Sequence, residues 1–282
     1  MSLEYPTMFT RRCGSSVCAR GDYRTVNQLP PCTTPHSDHS LARAGAELFI
    51  APFDTLHVLL VEVTQVTAMA LLLVIGASRG IGRETVKRAL ADGHHVRAFA
   101  RSALTILVDQ PGFEKIPGDA LNSASVLRAV SGVDAVIQVL GESKGPQALL
   151  WGTTLFSKAT RVLIDAMRAT SVTRLLAVTG LGAGDSRGHA GFLYDAIVFP
   201  LLLKRIYDDK DVQEQMIKAS GLDWTIVRPG LLTNGPASGK AHALTEPKDW
   251  RAGSISRADV ADFLVRETFE RRFVGKTPLL IG

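Results

Sequence analysis

Residues 71–90 constrain the fold of this chain more than any other stretch, and they read LLLVIGASRGIGRETVKRAL. Leu71 to Ile75 form a short continuous apolar run, which is typical of a parallel strand covered on both faces. A turn with three glycines follows, and then a helical pattern that ends near Gly93, a residue suited to a left-handed helix cap. This order of strand, turn and helix favours dinucleotide binding, because phosphates bind at helix N-termini.

The three glycines of the turn have separate expected roles. Gly76 lets the chain leave the strand sharply, Gly80 leaves room for a pyrophosphate against the backbone, and Gly82 lets the helix pack closely on the strand. The spacing is G-x-x-x-G-x-G rather than the commoner G-x-G-x-x-G. The residues predicted to bind the cofactor here are Gly76, Ala77, Ser78, Arg79, Gly80, Ile81 and Gly82.

Three segments resemble a known family. GASRGIG at 76–82 is similar to the nucleotide-binding turn of the short-chain dehydrogenase/reductase superfamily. VTGLGAG at 178–184 and SGLDWTIVRPG at 220–230 resemble its atypical NAD(P)H-binding branch, which includes biliverdin and flavin reductases and NmrA-like proteins. The resemblance covers residues 69–282 and implies one NAD(P)-binding domain whose C-terminal segments build the substrate pocket.

Alternating strands and helices from residue 71 onward predict an α/β fold, a doubly wound Rossmann-type parallel sheet with helices on both faces. Strands are expected at 71–75, 95–100, 113–117, 135–140, 174–179, 224–227 and 278–281. Besides the helix after the glycine turn, helices are expected at 123–130, 154–170, 191–206, 207–219 and 257–268. The segment 191–206 is apolar nearly all round, so it either walls a substrate pocket or packs against the core or a partner subunit.

Residues 1–68 are expected to form an N-terminal extension that is disordered or a non-native start. Scattered arginines and serines resemble an organelle transit peptide, but acidic residues weaken that interpretation. An early start assignment is the favoured alternative, because Met69 directly precedes the first predicted strand. No uncharged 18-residue window indicates a membrane span, so a cytoplasmic protein is expected, with organelle targeting left open.

Charge and cysteine content exclude several classes of site. The formal net charge is +5 without any Lys/Arg run, which argues against nucleic-acid binding and suits a polyphosphate ligand. All three cysteines, Cys13, Cys18 and Cys32, precede the predicted fold and show no C-x-x-C spacing. No metal site is therefore predicted.

Two arginines and a serine predict recognition of the 2′-phosphate of NADP. Arg101 ends the second predicted strand, where an acidic residue would instead hold the ribose hydroxyls of NAD. Ser102 adds a hydrogen-bond donor, and Arg79 adds a second cation. The alternative is that both arginines are solvated surface residues. NADP(H) is the expected cofactor.

Further cofactor contacts are implied by the resemblance. Asp119 and Ala120 would lie beside the adenine, although Gly-Asp is also a common turn and both interpretations stay open. The backbone at Leu140 and Gly141 would lie beside the nicotinamide-side ribose. The Arg-Pro-Gly segment would orient the nicotinamide, with an ordinary turn as the alternative, and its predicted contact residues are Pro229, Gly230 and Leu231.

The catalytic candidates are Thr179, Lys210 and Tyr207. Relatives commonly end the fifth strand with two hydroxyl residues, but here Gly180 takes the second place. Lys210 matches the lysine of the superfamily's Tyr-x-x-x-Lys pair, yet Ile206 stands at the tyrosine position. Tyr207 lies three residues before Lys210 and can share its helix face. The favoured alternative makes Tyr207 a surface residue in a charged turn.

The weak tyrosine match shapes the expected chemistry. Without a dependable acid, the proton must come from water or from the acceptor, which suits flavins, quinones and other conjugated acceptors better than simple ketones. We therefore predict an NADPH-dependent reductase of an apolar or aromatic small molecule, acting as a monomer or homodimer. The alternative is a non-catalytic NADP(H)-binding sensor of the NmrA-like type. Epimerase or dehydratase chemistry would need an acid/base pair that the sequence does not display.

Overall fold

The computed structural model describes residues 69–108, 110–141, 152–188 and 204–282. Every described residue lies in one compact unit, Gln65–Gly282. The predicted N-terminal extension therefore falls outside the described residues, as does most of the predicted helix at 191–206.

In the described part of the chain, eight strands form the central sheet in the order β3-β2-β1-β4-β5-β6-β10-β8, and two more form a separate small sheet. Their bounds are β1 Leu71–Ile75, β2 His95–Ala100, β3 Phe113–Pro117, β4 Ala135–Gln138, β5 Arg174–Val178, β6 Asp223–Pro229, β7 Leu231–Thr233, β8 His242–Leu244, β9 Ser254–Ser256 and β10 Leu279–Ile281. All neighbours in the large sheet pair in parallel except β8, which runs antiparallel to β10. The pair β7 and β9 is parallel.

Five α-helices cover the two faces of the sheet within the described part of the chain. They are α1 Gly80–Ala91, α2 Ser123–Val130, α3 Leu155–Thr170, α4 Lys204–Lys218 and α5 Arg257–Glu270. Helices α1 and α5 pack together on one face, while α2, α3 and α4 pack in a row on the other. Among these residues no helix has the length and apolarity needed to cross a bilayer.

Strand β1 shows why both faces are covered. Successive side chains of a strand point to opposite faces. Leu72 and Val74 accordingly lie in the core beneath α1 and α5, whereas Leu73 and Ile75 lie in the core beneath α2 and α3. All four are buried, which explains the uninterrupted apolar run.

The predicted fold class is confirmed, and the first three strands have the predicted bounds. One prediction is wrong: no helix boundary falls at 206/207, because α4 runs without a break from Lys204 to Lys218. The small strands β7, β8 and β9 were not predicted. Each has only three residues, too few to show a periodic pattern.

Candidate active site

A cavity of about 770 Å³ lies at the carboxyl ends of the central strands. The strand order reverses between β1 and β4, and open parallel sheets bind ligands in the crevice at this point. The last residue of β1, Ile75, and the residues that follow β4 and β5, Val139 and Thr179, line the cavity. The fold therefore predicts the position of a ligand before any side-chain chemistry is considered.

The glycine turn forms an open cradle on the floor of this cavity. A Cβ atom on Gly76 would lie 2.6 Å from the carbonyl oxygen of Val139, and one on Gly82 would lie 2.2 Å from that of Gly76. Gly80 differs, because it adopts a left-handed φ of +57° and the nearest atom to its Cβ position is 3.9 Å away. Two glycines thus allow close packing, while the third leaves open space at the start of α1. That space fits a pyrophosphate.

The structure brings most of the predicted cofactor-binding residues together around this one cavity. The wall contains Gly76, Ser78, Arg79, Gly80, Ile81, Arg101, Ser102, Asp119, Ala120, Leu140, Gly141 and Pro229. Asp119 also accepts a hydrogen bond from the backbone N–H of Leu121 at 3.0 Å, so it serves a turn as well as facing the cavity. Both interpretations of Asp119 are compatible with its position.

Four predicted cofactor residues lie outside the wall, each for a packing reason. Ala77 is buried in the core, and Gly82 is packed against Gly76. A Cβ on Gly230 would lie 2.3 Å from the carbonyl oxygen of Gly253, so Gly230 lets two backbone segments pass close together. Leu231 is 74% exposed, and the alternation of strand β7 brings its neighbour Leu232 to the cavity instead. Leu231 therefore lies outside the cavity wall, and its predicted cofactor contact stays a prediction.

Thr179, at the end of β5, forms hydrogen bonds with two charged side chains. Its hydroxyl donates to Oε1 of Glu214 at 2.8 Å, and its backbone carbonyl accepts a hydrogen bond from Nζ of Lys210. The hydroxyl proton is thus directed to a carboxylate that is only 1% exposed. Thr179 consequently positions Lys210 and Glu214, and its hydroxyl is poorly arranged to donate a proton to a ligand.

Arg228 and Glu214 form a buried ion pair next to Thr179. The Arg228 guanidinium donates from Nε to Glu214 Oε1 at 3.0 Å and from Nη2 to Oε2 at 2.5 Å. Its Nη2 also lies 2.6 Å from Oδ1 of the exposed residue Asp185. Burial lowers the pKa of Arg228, but the hydrogen bond and charge of Glu214 outweigh burial and leave that pKa above its ordinary value. Arg228 is therefore a permanently charged anchor for Glu214.

Helix α4 is fixed against α3 close to Lys210. The buried carboxylate of Asp209 accepts the backbone N–H of Phe156 at 2.8 Å in the first turn of α3. The ring of Phe156 then lies 5.1 Å from Nζ of Lys210. Burial lowers the pKa of Lys210 from 10.5 to about 8, although the charge of Glu214 opposes the shift. The ammonium at the cavity wall can therefore lose its proton in mildly basic solution.

Tyr207 lies next to the gap left by Gly180. A Cβ on Gly180 would be 2.9 Å from the Tyr207 hydroxyl oxygen and 3.8 Å from Nζ of Lys210. The Tyr207 ring centroid is 5.2 Å from the same Nζ atom. Tyr207 is half-buried on helix α4, so its interpretation as a surface residue in a charged turn was wrong. The phenol occupies the space that a side chain at position 180 would fill, although Tyr207 itself is not part of the cavity wall.

Sequence reasoning missed several residues of this site. Glu214 was noted only as a neighbour of Lys210, yet it is the buried centre of the charge network. One signal was available, because an arginine inside the apolar strand segment at 223–229 requires a buried partner. Leu155 and Arg257 also line the cavity, and neither is marked by any local pattern.

Comparison with known proteins agrees with this geometry. A family model described as NAD(P)H-binding matches residues 76–270. The chain belongs to this NAD(P)H-binding family. It has the Rossmann-type fold of the atypical short-chain dehydrogenase/reductase branch, and the family is oxidoreductase-like. The predicted family is confirmed, with NAD(P)(H) as the cofactor class.

Three relatives illustrate the similarity. An uncharacterised chloroplastic protein of Arabidopsis thaliana is 33% identical over 68% of this chain and 69% of its own length. A protein of Bacillus subtilis named as an uncharacterised sugar epimerase is 28% identical over 70% of this chain and 87% of its own. The structure of ChuY from Escherichia coli O157:H7, described as an anaerobilin reductase, is 28% identical, covers 75% of this chain and 96% of its own, and has a TM-score of 0.62.

Proposed function

We propose that this protein is an NADPH-dependent reductase that transfers hydride to a flavin, a quinone or another conjugated small molecule. The observation that carries the proposal is the grouping of Lys210, the Tyr207 hydroxyl and Gly180 at the end of β5, beside a cavity with a dinucleotide cradle. The similarity to a protein described as an anaerobilin reductase supports a reductase activity.

NADP(H) is proposed as the cofactor because of the cations at one end of the cavity. Arg79 and Arg101 both line it, and Ser102 follows Arg101 with a further hydroxyl. A guanidinium pairs with a phosphate in a bidentate geometry that a ribose hydroxyl cannot match. Both arginines are exposed, which leaves them free of the cost of burying an unpaired charge before the phosphate binds.

The proposed roles at the other end follow from the observed contacts. The bound cofactor would supply the hydride. Lys210 would hold the nicotinamide-side ribose while its own position is fixed by the carbonyl of Thr179. Tyr207 would donate a proton to the reduced acceptor, and the nearby ammonium of Lys210 would favour the phenolate that remains. The buried pair of Arg228 and Glu214 would hold Thr179 in place.

A non-catalytic NADP(H) sensor is the second candidate function. Two observations favour it: the hydroxyl proton of Thr179 is donated to Glu214, and Tyr207 is not among the residues that line the cavity. Cofactor binding alone is compatible with both functions, so only turnover separates them.

The test is NADPH consumption by the full chain with a panel of flavins, quinones and tetrapyrroles, with NADPH binding followed through tryptophan fluorescence. We expect consumption with one acceptor class and a roughly 100-fold or greater fall in kcat for Tyr207→Phe, since a positioned acid contributes about 10²–10⁴ in rate. NADPH affinity should be unchanged in this variant.

The outcomes distinguish the candidates. Binding without consumption across the panel would support the sensor. An unchanged kcat for Tyr207→Phe with active wild-type protein would remove the proton-donor role and leave the reductase assignment intact. Absence of NADPH binding would contradict both functions.

A further inference from the structure

Arg257 lies beside the glycine turn at the cavity wall. It is the first residue of α5, it is half-buried, and its side chain lines the cavity wall. Its Nε atom lies 3.9 Å from the Cβ position of Gly80 and is the nearest atom to that position. A cation therefore borders the one open glycine of the cradle, at the N-terminus of α1.

The guanidinium of Arg257 is held in this position. Nη1 donates to the carbonyl oxygen of Thr233 at 3.0 Å and to Oδ1 of Asn234 at 2.8 Å. Since both of these bonds use Nη1, the edge that carries Nε remains on the side of Gly80. A guanidinium has five N–H donors in a rigid fork, so one edge can be anchored while the other binds a ligand.

The helix that carries Arg257 is also fixed relative to the cradle. Helices α1 and α5 share one apolar core, and Arg88 on α1 forms an ion pair with Asp262 on α5. Arg266 also pairs with Asp262, at 2.9 Å. The distance between the start of α5 and the start of α1 is therefore set by packing rather than by a mobile loop.

We propose that Arg257 binds the pyrophosphate of the dinucleotide. Its place over Gly80, where α1 begins, separates it from Arg79 and Arg101, which we assign to the 2′-phosphate. Through Nη1 it would also tie the segment at Thr233 and Asn234 to the bound cofactor. The inference rests on the proposed use of a dinucleotide but does not depend on turnover or on the identity of the acceptor.

The two phosphate roles can be separated, because NADPH and NADH share the pyrophosphate but only NADPH has the 2′-phosphate. We expect Arg257→Gln to weaken binding of both dinucleotides about ten- to hundredfold, so that their affinity ratio is preserved. Arg101→Gln should weaken NADPH by a similar factor and NADH little. Arg272→Gln removes the same charge from an exposed position just beyond α5, outside the cavity wall, and should change neither affinity.

Binding is measured by fluorescence titration, with urea unfolding as the check on folding. Unchanged affinity for both dinucleotides in Arg257→Gln would overturn the inference, as would a selective loss of NADPH binding. If this variant does not fold, Arg257→Lys replaces it; the lysine keeps the charge but lacks the fork, and a smaller loss shared by both dinucleotides is expected. Wild-type protein that binds neither dinucleotide would overturn the proposed function as well.

Discussion

The two ends of the cavity are built in different ways. The core of the phosphate end comes from one continuous stretch of chain, in which β1, the glycine turn and α1 follow each other, and the arginines assigned to the 2′-phosphate, Arg79 and Arg101, are exposed. The end at Thr179 is assembled from β5, α4 and β6, and its central ion pair is almost completely buried. The comparison indicates that the phosphate end depends mainly on the shape of the backbone. The end at Thr179 depends instead on the pairing of buried charges.

The largest effect is expected from breaking the buried pair. Glu214→Gln leaves the Arg228 guanidinium, which is 0% exposed, without the carboxylate that bonds it twice. Removal of one partner of a buried pair costs about 3–5 kcal/mol, so we expect a loss of that size in the free energy of unfolding by urea.

The matched control for that variant is Glu270→Gln on α5, where the carboxylate is well exposed. An exposed pair contributes about 0–1 kcal/mol, and a correspondingly small change is expected. Equal losses in the two variants would show that burial of the Arg228 pair does not distinguish the two ends of the cavity.

A smaller effect is expected at the phosphate end, where the constraint is steric. The added methyl group of Gly82→Ala would meet the carbonyl oxygen of Gly76 at 2.2 Å. Overpacking costs roughly 1–3 kcal/mol, and the better helix propensity of alanine offsets up to about 1 kcal/mol of it. We expect a net loss of about 1–2 kcal/mol in urea unfolding together with weaker NADPH binding.

Gly141→Ala is the stability control for that steric prediction. Apart from Gly141 and its chain neighbours, no atom of the described structure lies within 4 Å of its Cβ position. Its free energy of unfolding without cofactor should stay within about 0.5 kcal/mol of wild type. A Gly82→Ala protein as stable as this control would mean that α1 moves away from β1 without cost.

The smallest effect is expected from titration of Lys210, whose pKa burial lowers to about 8. Lys210 is charged at pH 7 and mostly neutral at pH 9, so its hydrogen bonds to a ligand weaken as the pH rises. We expect NADPH affinity to fall about three- to tenfold over this range. Lys210→Met should bind NADPH more weakly and without this pH dependence, whereas Lys204→Met, on the exposed start of α4, should follow the wild type.

Stability should respond to the same titration in the opposite direction. Between pH 8 and 10.5 the unfolded chain keeps a proton that folded Lys210 has lost, so this group makes folding more favourable as the pH rises. Urea unfolding of wild type and Lys210→Met, compared across this interval without cofactor, measures the contribution.

The affinity prediction has its own contrary outcome. An NADPH affinity of the wild type that stays constant from pH 7 to 9 would contradict direct binding of NADPH by Lys210.

Position along the chain explains which site residues could be predicted. Gly76, Gly80, Arg79 and Arg101 were found because their roles depend on their distance from β1 and β2 in the sequence. The proximity of Tyr207 to Gly180 was not predicted, because helix spacing was considered without the strand end that packs beside it. No local pattern marks Arg257, which reaches the glycine turn only through the packing of α5 against α1.

The sequence by itself determined the doubly wound sheet, its first strands and the dinucleotide cradle. Those features depend on apolar periodicity and on glycines within a few residues of one another, so local physics is sufficient. Only the tertiary structure decided that the Tyr207 hydroxyl fills the gap at Gly180, that Glu214 neutralises Arg228, and that Arg257 faces Gly80. Such contacts join segments far apart in the chain, and their geometry is fixed by how the helices pack on the sheet.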